Sequence, residues 1–359
     1  MTVGELAEIA RACDLEIPLA QRRTIAHVGA GTIVANAHAP AYRKAGLTVR
    51  GVYDVDADRA GALAKAWGLP RTYATLDELL SDDAVEVVDI GVPPMAQSEI
   101  VERAFAAGKD VLAQKPLALS SREAARLVAL ADASGRKLVV NHQMRYDEGI
   151  AAAREMLARG WIGEPEALEM SIDMHINWRS WFAESPQLLI WYHAIHELDA
   201  IRSWFGTPSS VWCTGTSSTG TPGERRIMCV LVYPGRLRVS LHVSSENRTG
   251  QPSARFRIDG TGGAIRGELR RFYKPPLEGP DTLEIHSSTL PTDGWLPYPC
   301  TKRWFVDAFI GPMRSLLSWI ATGIEPPTSA RDNVATVRLI EALYRSIDTG
   351  AVQSLLSAE

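Results

Sequence analysis

Between residues 24 and 141, short and almost continuous hydrophobic runs alternate with longer stretches whose apolar residues recur at helical spacing. Continuous apolar runs are typical of strands buried on both faces of a parallel sheet. These runs predict strands over residues 24–28, 48–53, 85–90, 110–113 and 137–141. The stretches between them predict helices over residues 32–44, 56–67, 76–81, 97–107 and 121–134. Such an alternation of strand and helix predicts a doubly wound α/β domain.

The ends of these helices carry residues that favour helix termini. Asp56 and Ser121 are suited to be N-caps, because a short polar side chain accepts hydrogen bonds from the first free N–H groups of a helix. Gly68, Gly108 and Gly135 follow predicted helix ends, where the chain often takes a left-handed conformation.

After about residue 160 the pattern changes to segments in which polar and apolar residues partly alternate. These segments predict strands over residues 168–176, 211–216, 227–233, 237–243, 255–259 and 282–287. Helices are predicted over residues 188–205 and 304–344, with an interruption at 323–328. Because no regular helices separate the strands, we expect a mostly antiparallel sheet covered on one face by these helices.

The fold class predicted from both patterns is α/β plus α+β. We expect residues 1–22 to be an N-terminal extension and residues 23–143 to form a doubly wound domain of the Rossmann type. Residues 144–359 are expected to form a second domain, with an open sheet and C-terminal helices.

A glycine-rich turn and an acidic residue are the main chemical signal in the first domain. The first predicted strand runs into Gly29 and Gly31, and Asp54 ends the next strand roughly 20 residues on, which is the spacing of a dinucleotide fold. Gly29 allows the tight bend, and Gly31 lets the backbone approach a pyrophosphate at the helix N-terminus formed by Thr32 and Ile33. Asp54 is expected to accept hydrogen bonds from the ribose hydroxyls and to repel a 2′-phosphate, which favours NAD over NADP.

Composition narrows the classes of protein that fit these patterns. The 359 residues are 46% hydrophobic and carry a net charge of −4, so charge gives no case for nucleic acid or an anionic membrane as a partner. The four cysteines are far apart in the sequence and predict thiols of a reducing compartment, not a disulfide or zinc framework. Arg22 and Arg23 precede an apolar run, as in a twin-arginine signal, but that run is better used as the first strand and helix of the nucleotide fold. We therefore expect a cytoplasmic protein.

A lysine follows the fourth predicted strand, in the sequence Gln114-Lys115-Pro116. In an open α/β sheet, ligands bind outside the carboxyl ends of the strands. Lys115 is suited to hydrogen-bond a substrate hydroxyl and to stabilise the negative charge that develops on its oxygen during hydride loss. The alternative is a surface lysine in an ordinary loop between strand and helix.

These residues resemble the glucose–fructose oxidoreductase / inositol dehydrogenase (Gfo/Idh/MocA) family, over residues 23–350. The family's Glu-Lys-Pro signature falls on Gln114-Lys115-Pro116, and its Thr-Pro-Asn-x-x-His segment includes Pro93 and Gln97. The resemblance implies that Lys115 acts at the active site, and that Pro93, Gln97 and Gln114 belong to the cofactor site. Arg145 resembles the arginine that opens the family's second domain, and we expect it to bind substrate.

Three residues depart from the family pattern. Gln114 replaces a glutamate that would hold the lysine charged, Gln97 replaces the usual histidine, and Val34 stands at the third glycine position of the turn. Val34 is expected to move its helix slightly away from the first strand. The dinucleotide site itself is expected to remain.

The family's Asp-x-Gly-x-His-x-x-Asp pattern, whose histidine accepts a proton in many sugar-oxidising members, aligns here on His196 and Asp199. Its aspartate then falls on Tyr192, one helical turn before His196, which can donate a hydrogen bond but carries no negative charge. The resemblance implies that His196 is the proton acceptor, with Tyr192 and His193 near the same cleft. Asp199 is expected to orient His196 or to pair with Arg202. The alternative is a core histidine held by Asp199.

Aromatic residues cluster around this helix. Trp178 and Arg179 are candidates for substrate binding, because aromatic faces pack on sugar C–H groups and arginine binds hydroxyls. His175 is a weaker candidate, and Trp204 is as well suited to the core. Because no cluster has the spacing of metal ligands and hydride transfer needs no metal, we expect no metal.

Together these features predict an NAD(P)-dependent oxidoreductase that moves hydride between the nicotinamide and a hydroxyl or ketone of a sugar, inositol or polyol. The resemblance also implies that the domain over residues 144–359 binds substrate and forms a homodimer or homotetramer through its open sheet face. Three alternatives stay open: an NAD-using enzyme that cleaves glycosides, as in a minority of the family, a reductase of another carbonyl or imine, and a non-catalytic NAD-sensing protein. The substitution Gln114 is the main sequence argument for the sensor.

Overall fold

The computed structural model of the protein describes residues 3–176, 182, 184–218, 222–270, 279–290 and 294–355. Their contacts divide the chain into two compact units. The first unit comprises Leu15–Gln143 and Phe305–Val337. The second comprises Met1–Asp14, Met144–Trp304 and Arg338–Glu359. The boundaries predicted at residues 22 and 143 stay a prediction, because grouping by contacts does not test which segments fold independently.

The N-terminal segment contains helix α1 (Val3–Ala12), which belongs to the second unit. Ile9 and the following Cys13 are buried, Leu6 is half-buried and Ala10 is exposed. The apolar face expected for this segment is therefore present, but it is narrower than the sequence predicts.

The first unit is built on a five-stranded parallel sheet in the order β2-β1-β3-β4-β5. Its strands are β1 (Ile25–Val28), β2 (Val49–Tyr53), β3 (Val87–Ile90), β4 (Asp110–Ala113) and β5 (Leu138–Val140). All residues of β1, β3 and β5 are buried, including the polar residues His27 and Asp89. The strand order reverses between β1 and β3, which is where an open α/β sheet binds ligands. The predicted Rossmann fold is confirmed.

Helices follow the strands of this sheet much as the sequence predicts. They are α2 (Ala39–Lys44), α3 (Ala57–Trp67), α4 (Leu76–Leu80), α5 (Pro94–Ala106) and α6 (Ser121–Ser134). The chain is already helical at Thr32, and a π-helical turn over Val34–His38 precedes α2. Gly68 and Gly135 end α3 and α6 with φ of +66°, and Gly108 follows α5 with φ of +73°, as predicted.

The N-caps of these helices agree with the sequence in one case and differ in the other. The side chain of Asp56 accepts hydrogen bonds from two backbone N–H groups at the start of α3. The prediction for α6 was wrong by one residue, since the N-cap is Ser120 and not Ser121. Ser120 is still extended (φ −151°, ψ 148°), so its hydroxyl reaches back to accept from the N–H of Glu123.

The second unit contains a nine-stranded sheet in the order β13-β12-β11-β10-β6-β9-β8-β7-β14. Its strands are β6 (Pro165–Asp173), β7 (Ser210–Ser217), β8 (Glu224–Val232), β9 (Arg238–Ser244), β10 (Ser253–Gly260), β11 (Gly263–Glu268), β12 (Thr282–Ser287), β13 (Leu296–Tyr298) and β14 (Gln353–Ser354). Strands β6 and β9 pair in parallel, and the other neighbouring pairs are antiparallel. The mostly antiparallel sheet is confirmed, although β11, β13 and β14 were not predicted.

One face of this sheet is buried and the other is open. In β8, Ile227, Cys229 and Leu231 are buried, whereas Met228 is 58% exposed and Val230 38% exposed. The remaining helices are α7 (Glu148–Ala158), α8 (Ile195–Phe205), α9 (Ile310–Thr322) and α10 (Ala330–Thr349). Helix α9 packs in the first unit, against β4 and β5. Among the helices of the described residues, none has both the length and the hydropathy needed to span a membrane.

Candidate active site

The turn after β1 requires glycine at its first position and leaves free space at its second. Gly29 has a φ of +102°, and a Cβ there would lie 2.6 Å from the carbonyl oxygen of Gly91. A Cβ on Gly31 would meet nothing within 4 Å. The helix begins directly afterwards, with Thr32 exposed and Ile33 half-buried. The turn therefore offers the space and the helix N-terminus that a pyrophosphate needs.

Val34 fits at the third glycine position because the sheet residue that it faces, Gly91, has no side chain. Val34 is fully buried, and its Cγ2 lies 2.3 Å from the place where a Cβ on Gly91 would be. The close packing between helix and sheet is thus retained by removing the side chain from the sheet residue. The expected outward shift of the helix stays a prediction.

Asp54 joins the glycine-rich turn to the end of β2. One carboxylate oxygen accepts a hydrogen bond from the N–H of Ala30 at 2.7 Å, and the other accepts from the N–H of Asp56 at 2.9 Å. Asp54 is half-buried, and each of its oxygens has a further lone pair. The residues present therefore fit a dinucleotide: the turn and helix N-terminus for its pyrophosphate, and a fixed carboxylate for two ribose hydroxyls.

Gln97 holds the backbone of the loop that carries Lys115. Its Oε1 accepts from the N–H of Gln114 at 2.8 Å, and its Nε2 donates to the carbonyl oxygens of Gln114, Pro116 and Leu117 at 2.8–3.1 Å. Gln97 is fully buried on α5. The structure thus assigns it a supporting position, and a direct contact with cofactor stays a prediction. The nearby Pro93 is exposed at the start of α5.

Lys115 lies directly after β4, at the carboxyl edge of the sheet, and is half-buried. Its N–H donates to the side-chain Oε1 of Gln114 at 2.8 Å, and the Lys115–Pro116 peptide bond is cis. Both neighbours in the predicted signature are buried. The backbone that carries the lysine is therefore held on both sides by hydrogen bonds and packing.

In the second unit, His193 lies just before α8 and His196 lies in its first turn. A π-helical turn over Ile190–Ala194 precedes the helix, so the predicted i, i+4 relation of Tyr192 and His196 passes through a wider turn than that of an α-helix. The rings of His193 and His196 lie edge to face with their centroids 6.0 Å apart. His196 also meets Trp304, with 5.7 Å between the ring centroids.

Tyr192 is half-buried and contacts Phe182 edge to face at 5.1 Å. Burial raises the pKa of Tyr192, and a hydrogen bond with Ser185 opposes part of that rise. The phenol therefore keeps its proton through the physiological range and can donate a hydrogen bond. His193 Nε2 lies 3.9 Å from Oε1 of the buried Glu197.

A buried carboxylate that the sequence analysis missed anchors this helical segment. Glu224 on β8 accepts hydrogen bonds from the N–H groups of Leu188 and Ile190 at 3.0 and 3.1 Å, and from the hydroxyl of Tyr344 at 2.6 Å. A negative charge at a helix N-terminus also stabilises the helix dipole. Glu224 lies outside the strand predicted over residues 227–233, so its place in the sequence does not indicate that it is buried.

Asp199 forms a two-pronged ion pair with Arg145. Its oxygens accept from Nε of Arg145 at 2.6 Å and from Nη2 at 2.7 Å, and both side chains are buried. Arg202 is a more distant partner, at 3.9 Å. The prediction for Asp199 named His196 or Arg202 and overlooked Arg145, which lies 54 positions earlier in the chain. Substrate binding by Arg145 stays a prediction.

The remaining candidates occupy other places. Trp178 and Arg179 lie outside the described residues. His175 is exposed and forms an isolated β-bridge with Glu246. Trp204 packs on a core phenylalanine at 5.1 Å, in keeping with the core alternative.

Two of the cysteines, distant in sequence, face each other across neighbouring strands. Cys213 on β7 pairs with Cys229 on β8, with their Sγ atoms 3.0 Å apart and both thiols free. No group of three or more potential metal ligands occurs within the described ranges.

Two sequence profiles match the chain, one on each side of residue 145. The profile described as "Oxidoreductase family, NAD-binding Rossmann fold" matches residues 23–142. The profile described as "GFO/IDH/MocA C-terminal domain" matches residues 150–266. Together they cover more than half of the 359 residues.

Individual proteins are similar over nearly the whole chain. The D-apiose dehydrogenase of Paraburkholderia graminis is 26% identical, over 92% of this chain and 89% of that protein. The D-xylose 1-dehydrogenase (NADP(+)) 2 of Haloferax volcanii is 23% identical, over 92% of this chain and 97% of that protein. An oxidoreductase from Agrobacterium radiobacter, solved in complex with NAD+, L-tartaric acid and magnesium, superposes with a TM-score of 0.81 at 24% identity, over 93% and 98% of the two chains. The last comparison supports the fold.

Proposed function

Because the chain belongs to the Gfo/Idh/MocA family of oxidoreductases, we propose that it moves hydride between NAD and a hydroxyl or ketone carbon of a small sugar, inositol or polyol. The observation that carries the proposal is the arrangement at the carboxyl edge of the first sheet. The open glycine turn follows β1, the fixed carboxylate of Asp54 follows β2, and Lys115 follows β4. The similar proteins named for D-apiose and D-xylose support a carbohydrate as substrate.

The preference for NAD over NADP rests on Asp54. Two backbone N–H groups hold its carboxylate in place, so it cannot turn away from a 2′-phosphate without losing them. Arg59, the nearest arginine after it, forms an ion pair with Asp56 at 2.9 Å. The negative charge at Asp54 therefore favours a free 2′-hydroxyl. NAD and NADP titrations by calorimetry test this preference, and tighter binding of NADP would overturn it.

The residues of the chain have separate tasks in the proposed reaction. NAD, when bound, supplies the carbon that accepts the hydride. Lys115 stabilises the oxygen of the substrate as its charge grows, and His196 accepts the hydroxyl proton. Tyr192 donates a hydrogen bond to a substrate oxygen, since its raised pKa keeps it protonated. Ketone reduction uses the same groups, with His196 starting protonated and giving its proton to the new hydroxyl.

We also propose that the protein assembles as a homodimer or homotetramer through the open face of the second sheet. The exposed Met228 and Val230 on β8 support this, because neighbouring apolar side chains on an open sheet face gain stability when a partner covers them. Light scattering should give a multiple of the 39.2 kDa chain mass, and Met228→Asp should reduce it. A monomer at micromolar concentration would contradict the proposal.

We also propose that the protein is located in the cytoplasm. The run that follows Arg22 and Arg23 supports it, since it supplies the buried strand β1 and the helix after the glycine turn. Cell fractionation with an antibody tests this point, and recovery in an exported fraction would contradict it.

The function is tested by offering NAD, and separately NADP, with a panel of aldoses, inositols, polyols and glycosides. Formation of reduced nicotinamide is followed by absorbance, and products by chromatography. Lys115→Ala and His196→Ala should each lower kcat at least 100-fold, whereas Lys65→Ala and His286→Ala, at exposed positions, should leave it unchanged. Release of an aglycone without net reduction would instead favour the glycoside-cleaving alternative. Binding of NAD with no turnover of any substrate would favour the sensor.

A further inference from the structure

Five polar side chains are buried together in the first unit, at or near the carboxyl ends of its strands. None is more than 8% exposed, although a parallel-sheet core is normally apolar. They are His27, His38, Asp89, Gln114 and Asn141. Buried polar groups on this scale persist when they are hydrogen-bonded to one another, so their pattern of donors and acceptors carries information.

Asp89 lies at the centre of this network. Its Oδ2 is 2.8 Å from Nδ1 of His27 and 2.8 Å from Nδ1 of His38. Burial alone would raise the pKa of Asp89, but its contacts with His38 and His27 outweigh burial and lower it. Because an ionised carboxylate only accepts hydrogen bonds, each histidine must carry a proton on Nδ1.

That proton fixes the role of the other nitrogen of His38. Nε2 of His38 lies 2.8 Å from Nδ2 of Asn141 and 3.2 Å from Nε2 of Gln114. Both neighbours are amide nitrogens, which donate and do not accept. His38 is therefore neutral in this arrangement, with Nδ1 as the donor and Nε2 as the acceptor.

Gln114 connects His38 to the backbone of Lys115. Its Oε1 accepts from the N–H of Lys115 at 2.8 Å, which fixes the orientation of the amide and turns its Nε2 towards His38. A glutamate at this position would place an acceptor oxygen against the acceptor Nε2 of His38. Neutral His38 and Gln114 are thus chemically matched, which gives a physical reason for the departure from Glu-Lys-Pro.

We infer that Asp89 and His38 are positioning residues for Lys115, and that they act through the side chain of Gln114. Asp89 selects the tautomer of His38, His38 orients Gln114, and Gln114 holds the backbone N–H of Lys115. The π-helical turn over Val34–His38 places His38 in this position. The inference rests on the proposed role of Lys115, but the hydrogen-bond network can be tested without it.

The network makes a prediction about protons. Among the described residues, Asp89 from β3 contacts His38 directly, and His27 from β1 shares that carboxylate. The rings of Tyr42 from α2 and of Phe309 pack beside His38. In Gln114→Glu, the pair formed by residues 38 and 114 needs one proton more than in the natural protein. Either His38 becomes a cation or the new carboxyl group stays protonated, and both restore a donor between the two acceptors.

The sign of the pH effect follows from this extra proton. The folded variant binds it and the unfolded chain releases it as the pH rises, so the variant's stability relative to the natural protein falls as the pH rises. With a specific unfolding entropy typical of globular proteins, one proton changes the difference in Tm by about 2 °C per pH unit in a chain of this length.

The experiment measures Tm of the full-length natural protein and of Gln114→Glu between about pH 5.5 and 8.5. Gln251→Glu serves as the control, since Gln251 is exposed. The loss of Tm in Gln114→Glu should grow towards alkaline pH, whereas the control should show no such trend. A loss that is independent of pH would overturn the donor and acceptor assignment.

The second arm measures kcat and KM against pH with the substrate found by the panel. Gln114→Glu should keep its activity best at acid pH, and its kcat relative to that of the natural protein should fall as the pH rises. Asp89→Asn, which no longer selects the tautomer, should also lower kcat. If the Tm arm succeeds and the kcat profiles coincide, the network is only structural and the positioning role is wrong. If no substrate is found, the proposed function fails, and the Tm arm still decides the network.

Discussion

The two glycines of the turn after β1 should respond to alanine in opposite ways. Gly29→Ala introduces a Cβ at φ +102° and 2.6 Å from the carbonyl oxygen of Gly91. The backbone conformation alone costs about 1–3 kcal/mol for a residue other than glycine, and the clash adds to it. Gly31→Ala adds a Cβ that meets nothing within 4 Å. Its effect on the free energy of unfolding should stay within about 1 kcal/mol, and a reduced entropy of the unfolded chain can make it stabilising.

The affinity for NAD should fall in Gly31→Ala, although the stability of this variant should change little. The free volume beside Gly31 is the place where we put the pyrophosphate, so a methyl group there should weaken NAD binding at least about tenfold, which corresponds to about 1.4 kcal/mol. The measurements are urea unfolding for stability and calorimetric titration with NAD for affinity. Unchanged affinity in a well-folded Gly31→Ala variant would refute the placement of the cofactor. Unchanged stability in Gly29→Ala would refute the packing argument.

Three further predictions follow from buried groups outside the turn. Asp199→Ala removes the carboxylate that pairs with buried Arg145 and should lower the free energy of unfolding by about 3–5 kcal/mol in urea titrations; a loss below about 1 kcal/mol would contradict the ion pair. Glu224→Gln exchanges an acceptor of three hydrogen bonds for an amide. The substitution should lower the free energy of unfolding by about 1–3 kcal/mol, and it should lower kcat more than it changes KM. Unchanged melting and kinetics would exclude the anchoring role. The hydrogen bond to Cys213, together with burial, raises the pKa of Cys229 well above its ordinary value. At pH 8 Cys229 is therefore a neutral thiol, and it should react with a thiol reagent only after the protein unfolds. Fast reaction in the native protein would show that the pair is accessible.

The sequence predicted most of the first sheet because its strands satisfy one simple condition. A strand buried on both faces must be apolar almost throughout, and the run over Asp110–Ala113 was predicted with the bounds found. The strand Gly263–Glu268 was missed, since its glycines and charged residues do not favour strands in isolation. Its pairing with both neighbours supplies the stability that its own residues lack.

The candidate site was predictable where chemistry is local in sequence. Gly29, Gly31 and Asp54 have a fixed spacing, and the fold brings them together as expected. The pairing of Arg145 with Asp199 was not predictable in this way, because a contact across 54 positions has no periodic signal. The π-helical turns before α2 and α8 likewise depend on packing, since neither stretch contains a proline or glycine that would mark them.

The most direct test of the central claim follows the hydride itself. The protein is incubated with NAD and a sugar from the reactive class that carries deuterium on all its carbon atoms, and the reduced nicotinamide is isolated for mass spectrometry. Our account predicts one deuterium in each molecule of reduced nicotinamide. The same experiment with Lys115→Ala should give almost no reduced nicotinamide. Reduced nicotinamide without deuterium, or sugar turnover with no reduced nicotinamide, would contradict direct hydride transfer from the substrate to the cofactor.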